Sequence, residues 1–328
     1  VKQGRIVGRG WHCGPGTKHA EIVALDEAGS RARGATVYVT LEPCCHHGRT
    51  PPCTDALIQA KIARVIYAVR DPNPLVAGRG ARLLQQQGIE VVRGVCAAEA
   101  RALNEVYFKF RATGRPFVSI KVAASLDGKT ATRSGRSKWI TDDAARTRGR
   151  RIRAEHQAIL TGVTTILQDD PHLGPRLRGA PEPWRIVLDS RLRTPPGSQV
   201  VRSKRCIVAC TEAASESRQR RLERLGVRIW RFRGKRVPLR KLLSKLGANG
   251  IISVLVEGGS EVLGSVIDAG LADRAYWFVS PKIIGSQAAR SAIGGAGASW
   301  PSTAVRLRAP RIERAGDGWL IVGELGNA

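Results

Sequence analysis

Short apolar, β-branched runs alternate with helix-length amphipathic segments along the whole chain, and this alternation restricts the fold more than any other feature. Residues 35–41 (Ala-Thr-Val-Tyr-Val-Thr-Leu) and 64–69 (Arg-Val-Ile-Tyr-Ala-Val) read as buried strands, with shorter ones over 5–10 and 89–92. Helical spacing falls over 19–28, where Ile22, Leu25 and Ala28 share a face, and again over 54–61, 80–87 and 99–111. The same grammar resumes after Thr113-Gly114-Arg115-Pro116. Strands are expected there over 117–123, 158–162, 185–189, 206–210, 251–256, 274–279 and 319–323. Helices are expected over 142–154, 215–225, 239–246 and 261–269. Such succession predicts layered α/β architecture. At 328 residues the chain exceeds one ordinary core, and the Gly-Pro punctuation divides it into 1–114 and 115–328.

Hydrophobic residues at 42% and charged residues at 25% exclude a disordered or fibrous chain. The longest apolar runs, such as 251–256, fall far short of the ~20 residues of a bilayer span, and the first ten residues hold no apolar leader core. A cytoplasmic, membrane-free protein is expected. Methionine is absent and Val1 is no ordinary start, so the chain reads as a fragment or as the product of a non-standard start codon. The net charge of +27 is almost all arginine excess. It suits an anionic partner (nucleic acid, phosphorylated metabolite or dinucleotide) or a solvated basic surface. The cation-rich stretch 218–241 reads as a solvated face. A nucleic-acid groove would want interleaved aromatics, and only Trp230 and Phe232 are there.

Four of the seven cysteines, Cys13, Cys44, Cys45 and Cys53, fall within the first 53 residues, where clustered Cys and His point to metal rather than disulfides. His19-Ala20-Glu21 opens a helix after the glycine-rich loop Gly14-Pro15-Gly16, Pro43-Cys44 opens a second element, and Cys53 lies nine residues on. One imidazole and two thiolates make a three-ligand zinc site with one open position, and such a metal ionises water near neutral pH. Glu21 is close enough to take a proton from that water and pass it to a leaving amine, the arrangement of zinc deaminases. The competing readings are a closed structural site, with Cys45, His46 or His47 as fourth ligand, and unrelated buried cysteines. In the second half, the strand over 253–256 runs into Glu257-Gly258-Gly259-Ser260 and a helix. Strand, glycine turn and helix make a phosphate cradle, or else a plain tight turn. No G-x-G-x-x-G follows an early strand, so an ordinary Rossmann domain is not indicated.

The segment from Thr40 to Cys53, Thr-Leu-Glu-Pro-Cys-Cys-His-His-Gly-Arg-Thr-Pro-Pro-Cys, resembles the deaminase half of the bifunctional deaminase–reductases of riboflavin biosynthesis. The nine-residue cysteine interval matches that family, as do Asp71-Pro72-Asn73-Pro74 and Val76-Ala77-Gly78-Arg79-Gly80. Lys121 to Lys129, Gly135 to Thr141, Thr161 to Thr165 and Asp169-Asp170-Pro171 are similar to its reductase half. The resemblance spans essentially the whole chain. It implies a cytidine-deaminase-like α/β/α layered domain over 1–114, followed by a dihydrofolate-reductase-like α/β domain over 115–328. It also implies zinc on His19, Cys44 and Cys53, Glu21 as proton shuttle, His12 lining the substrate pocket and Arg49 placed for a ribose phosphate. Ala123, Trp139, Thr165 and Asp169 would contact NADPH, together with Gly259, Ser260, Glu261, Val262, Leu263, Gly264 and Ser265. Ser137, Arg153, Leu173, Arg176 and Glu257 would contact the phosphorylated pyrimidine substrate, with core packing as the alternative for Trp139. Gly174-Pro175 replaces the family's usual Thr-Val before Arg176.

Relative to that family the chain is expected to lack an N-terminal helix, a first strand and a Thr-x-Pro-Asn-Pro-x-Val-Gly segment, leaving the 5–10 strand with an unpaired edge. The resemblance implies homo-oligomers. The expected activity is deamination of 2,5-diamino-6-(5-phosphoribosylamino)pyrimidin-4-one followed by NADPH reduction of the ribosyl group to ribityl. The rival readings are a reductase with a merely structural zinc domain, and a nucleic-acid-binding or RNA-editing deaminase favoured by the charge.

Overall fold

The computed structural model describes residues 1–14 and 16–326; Pro15, in the expected glycine-rich loop, lies outside them. The chain divides into two compact units, Val1–Thr113 and Gly114–Ala328. No helix among the described residues is long and apolar enough to cross a membrane.

The first unit runs α1 (Ala20–Ala28), β1 (Thr36–Leu41), α2 (Cys53–Gln59), β2 (Arg64–Val69), α3 (Arg79–Gln86), β3 (Glu90–Arg93), α4 (Ala97–Leu103) and α5 (Glu105–Thr113). Its three strands form one parallel sheet in the order β1-β2-β3, with Thr36 opposite Arg64 and Arg64 opposite Glu90. Leu57, Val65 and Leu84 are wholly buried at its centre, among Ala28, Ala32, Ile62 and Ile89.

Three expectations are corrected here. Residues 5–10 do not form a strand. They cross α1 at backbone contact: a Cβ on Gly8 would lie 2.2 Å from the Ala24 carbonyl oxygen, and one on Gly10 2.0 Å from that of Ala20. Glycine there trades ladder pairing for close packing against the helix. The helix expected over 99–111 is two helices. Asn104 turns both its backbone N–H and its side-chain amide onto the Ala100 carbonyl, at 3.2 and 2.9 Å, and so ends α4. Cys44 opens no element but lies in the loop after β1. It is Cys53 that opens a helix, behind Pro52.

The second unit runs β4 (Phe117–Ser125), α6 (Asp143–Ala154), β5 (Ala158–Gly162), α7 (Val163–Asp169), β6 (Trp184–Leu188), α8 (Gln199–Arg202), β7 (Cys206–Thr211), α9 (Glu216–Glu223), β8 (Arg228–Phe232), α10 (Leu239–Ala248), β9 (Ser253–Glu257), α11 (Ser260–Asp268), β10 (Arg274–Ser280), β11 (Arg306–Ala315) and β12 (Gly318–Gly326). One nine-stranded sheet holds them in the order β11-β12-β10-β4-β9-β5-β6-β7-β8. Every pair from β10 to β8 is parallel, and β12 runs antiparallel to both β10 and β11. All residues of β5, β7 and β9 are buried, as strands covered on both faces require, which is why they read as unbroken apolar runs. β11 was not legible: it is arginine-rich, and only Ala315 of its ten residues is buried, because it is the sheet's outer edge. The carboxyl ends of β4, β5 and β9 converge, the end of a parallel sheet where loops and helix N-termini build ligand sites.

Candidate active sites

In the first unit, α1 begins directly after His19 and α2 begins at Cys53, so two helix starts converge on the loop that carries Cys44. His19 Nδ1 lies 3.2 Å from Cys53 Sγ and 3.5 Å from Cys44 Sγ, and the Cys53 backbone N–H points at Cys44 Sγ from 3.3 Å. A tetrahedral zinc with ordinary N and S bond lengths sets its ligands about 3.6 Å apart, so this donor set fits the ion. The three ligand atoms lie within 4.8 Å of one another, and no fourth His, Cys, Asp or Glu joins the group among the described residues. Cys45 instead points at the Leu75 carbonyl, 3.7 Å away. A closed four-ligand site is therefore not what this loop builds. The Cys53 thiol donates to Cys44, which draws the Cys44 thiol down to about 5 and holds Cys53 protonated. A metal binding there displaces that proton.

Glu21 sits in the first turn of α1 with its carboxylate against the Cys53 thiol. Burial raises its pKa, and the Cys44 thiolate adds to the effect. His12 stacks edge-on to His19, ring centroids 5.1 Å apart. Arg49 stands at the exposed tip of the cysteine loop.

Two supports escaped the sequence reading. Thr50 Oγ1 lies 3.2 Å from His19 Nε2, the kind of outer hydrogen bond that fixes a ligand ring with its other nitrogen toward the metal. Glu42, 2% exposed, accepts from the backbone N–H groups of Gly78 (2.9 Å), Ala81 (3.1 Å) and Asp71 (3.4 Å). It thereby ties the start of α3 to the strand end two residues before Cys44. Asp71 in turn accepts from the Tyr107 hydroxyl at 3.0 Å. The Glu in Glu-Pro-Cys was visible, but its partners lie some thirty residues on, beyond any local pattern.

In the second unit a cavity of about 780 Å³ opens at the carboxyl ends of β4, β5 and β9. Ala123, Ser137, Trp139, Arg153, Thr165, Asp169, Leu173, Arg176, Gly259, Ser260 and Leu263 line it. Trp139 is 63% exposed beneath the Arg146 guanidinium, so simple core packing does not account for it. Gly258 and Gly259 take positive φ of 75° and 72°, the turn that aims the α11 N-terminus at the cavity.

The rest of the expected set divides. Glu261, Val262 and Ser265 face a separate cavity of about 600 Å³. Gly264 lines neither and packs on the backbone of Gly294, which a Cβ would meet at 2.1 Å. Glu257 lies buried beneath the larger cavity, not on its wall. It takes Arg153 Nε and Nη2 at 2.7 and 2.6 Å and Lys121 Nζ at 3.4 Å. Burial alone would raise its carboxyl pKa, but Arg153 and Lys121 overrule that and hold it at about 2. Arg153 is thus committed to a carboxylate, with Nη1 on the Gly174 carbonyl. Arg176, by contrast, is exposed on the cavity wall.

Residues 1–69 match the cytidine and deoxycytidylate deaminase zinc-binding region, and residues 116–321 match the RibD C-terminal domain. The riboflavin biosynthesis protein RibD of Actinobacillus pleuropneumoniae is 44% identical over 325 residues, 98% of this chain and 86% of that protein. That of Escherichia coli is 43% identical over 302 residues, covering 88% and 82%. The solved structure of Acinetobacter baumannii RibD superposes with a TM-score of 0.91 at 37% identity, covering 100% of this chain and 91% of that one. A Thermotoga maritima diaminohydroxyphosphoribosylaminopyrimidine deaminase/5-amino-6-(5-phosphoribosylamino)uracil reductase gives 0.84 at 34% identity, covering 99% and 90%.

Proposed function

Because this chain belongs to the RibD family of riboflavin-biosynthesis deaminase–reductases, with a zinc-binding deaminase region and a reductase region of the NADPH-using kind, we propose that it performs both steps on the substrates named for the Thermotoga protein. Residues 1–114 deaminate the diaminopyrimidine, and residues 115–328 reduce the ribosyl group of the resulting aminouracil to ribityl.

His19, Cys44 and Cys53 hold zinc, which when bound supplies an ionised water at neutral pH. Glu21 receives the proton of the attacking water and delivers it to the departing ammonia. Its burial suits this role, because a raised pKa makes the carboxylate a stronger proton acceptor than an exposed one. His12 walls the base pocket, and Arg49, free at the loop tip, grips the ribose phosphate.

In the second unit NADPH, when bound, would supply the hydride for reduction at C1 of the ribose. Ala123, Trp139, Thr165, Asp169, Gly259, Ser260 and Leu263 would line its site, where the Gly258-Gly259 turn and the α11 N-terminus offer backbone N–H groups to an anionic part of the cofactor. Ser137, Leu173 and Arg176 hold the phosphorylated substrate. Glu257, kept ionised by Arg153 and Lys121, fixes those two cations at the cavity floor. A cytoplasmic location accords with the free cysteines. A homo-oligomer accords with the open outer edge of β11, where Ile312 is 67% exposed; a single monomeric species in sedimentation would remove that reading.

The observation that carries the proposal is the three-ligand cluster with Glu21 against it. Purified chain should contain one zinc, release ammonia from the phosphoribosyl diaminopyrimidine and then oxidise NADPH. A preparation without stoichiometric metal and without ammonia release would sink the deaminase half.

A further inference from the structure

In the first unit a cavity of about 350 Å³ lies where α3 meets β3 and the end of β2, and Arg70, Arg82 and Arg93 line it with Tyr67 and Gln85. We propose that this cavity binds a phosphate group, as the free ion or as the phosphomonoester of a small metabolite. It shares no residue with the zinc cluster or with the reductase cavity, so the inference stands apart from both proposed reactions.

Charge is the first support. Three guanidiniums line the cavity and no acidic residue does. Arg82 and Arg93 are exposed, and their side chains meet no carboxylate among the described residues. Arg64, on the same sheet, is instead spent on Glu90 through Nε and Nη2 at 2.7 and 2.6 Å. The nearby Glu42 carboxylate is buried and turned to the backbone N–H groups of Gly78 and Ala81. A concave cationic surface without its own counter-ions concentrates anions.

Placement is the second. The parallel register sets Arg93 opposite Tyr67, so both side chains rise from one face of the sheet. Burial and the Glu42 carboxylate raise the Tyr67 hydroxyl pKa, while Arg93 and Arg70 pull it back, so two of the guanidiniums converge on that hydroxyl. Arg70 is held in advance, with Nη2 donating to the Ala77 carbonyl. Gly78, at φ 82°, leaves the slot that this guanidinium fills: a Cβ there would stand 2.9 Å from Arg70 Nη2 and 3.1 Å from Cζ. Arg82 follows one turn along α3. A fixed guanidinium lowers the ordering cost of binding. Several guanidiniums around one point match the oxygens of a phosphate, with Tyr67 and Gln85 as neutral partners.

Calorimetric titration of the zinc-loaded whole chain tests this, with NADPH saturating so that the reductase cavity is filled. The probes are inorganic phosphate, adenosine 5′-monophosphate and adenosine. Phosphate and the monophosphate should each bind saturably, and adenosine should not bind. Joint Arg82→Ala and Arg93→Ala substitution should weaken both anions about tenfold or more per guanidinium lost and leave ammonia release unchanged. Phosphate should also raise the melting transition of the first unit in wild-type chain and not in the variant. Equal affinity for the two anions identifies the free ion as the ligand, and tighter binding of the monophosphate identifies a phosphomonoester; either sustains the proposal. Absence of saturable phosphate binding makes the three arginines a solvated face and overturns it. Binding that survives the joint substitution but disappears in Arg49→Ala places the ion at the cysteine loop, and that also overturns it.

Discussion

Glu21 and Thr50 divide the work around His19 in ways that single substitutions separate. Glu21→Gln keeps the shape and removes the proposed proton carrier. Ammonia release should fall about 10²- to 10⁴-fold while metal analysis still finds one zinc; joint loss of zinc and activity would make Glu21 a ligand instead. Thr50→Val removes the hydroxyl 3.2 Å from His19 Nε2. Zinc affinity, read by competition with a chromogenic chelator, should drop about 10- to 100-fold with the fold intact. Both effects belong to single side chains. The His19, Cys44 and Cys53 group was legible in the sequence because ligand chemistry admits few residue types and their spacing survives in a linear reading. Thr50 was not, since nothing local separates a hydroxyl that buttresses an imidazole from any other loop threonine.

Between elements, two buried carboxylates act as ties. Glu42 joins the end of β1 to the start of α3 through the Gly78 and Ala81 N–H groups and to the segment after β2 through that of Asp71. Glu42→Ala leaves those donors buried and unmet, which should cost the first unit about 3 kcal/mol or more in denaturant unfolding. Faster amide exchange at Gly78 and Ala81 should accompany it, and unaltered exchange there would show the tie to be idle. Glu257 joins β9 to α6 and β4 through Arg153 and Lys121. Its pKa is depressed from 4.5 to about 2, so its contribution is whole above 4.5 and is lost as the pH falls toward 2. The second unit should therefore lose stability across that window, by about 3 kcal/mol from this group. Glu257→Gln should flatten that segment of the pH–stability curve, and an unchanged slope would refute the assignment. Most helices and strands were readable from period and punctuation, the edge strand β11 excepted. The ties were not, because each joins residues some thirty to more than a hundred positions apart.

On the scale of the whole chain, the zinc cluster lies in one compact unit and the Gly258-Gly259 cavity in the other. Binding stabilises the cooperatively folding unit that binds. A zinc chelator should lower the melting transition of the first unit and leave that of the second in place, with NADPH acting the opposite way in scanning calorimetry; one transition moving as a whole under either agent would contradict this. Chain order alone determined most of the succession of strands and helices and the metal-binding residue types, because these depend on periodicity, turn chemistry and spacing. Tertiary structure alone decided that residues 5–10 lie on a helix rather than in the sheet, that Arg153 answers Glu257, and that the α11 turn faces two cavities. Each is a matter of which distant groups meet once the apolar runs are buried, and a burial pattern specifies a face without specifying its partner.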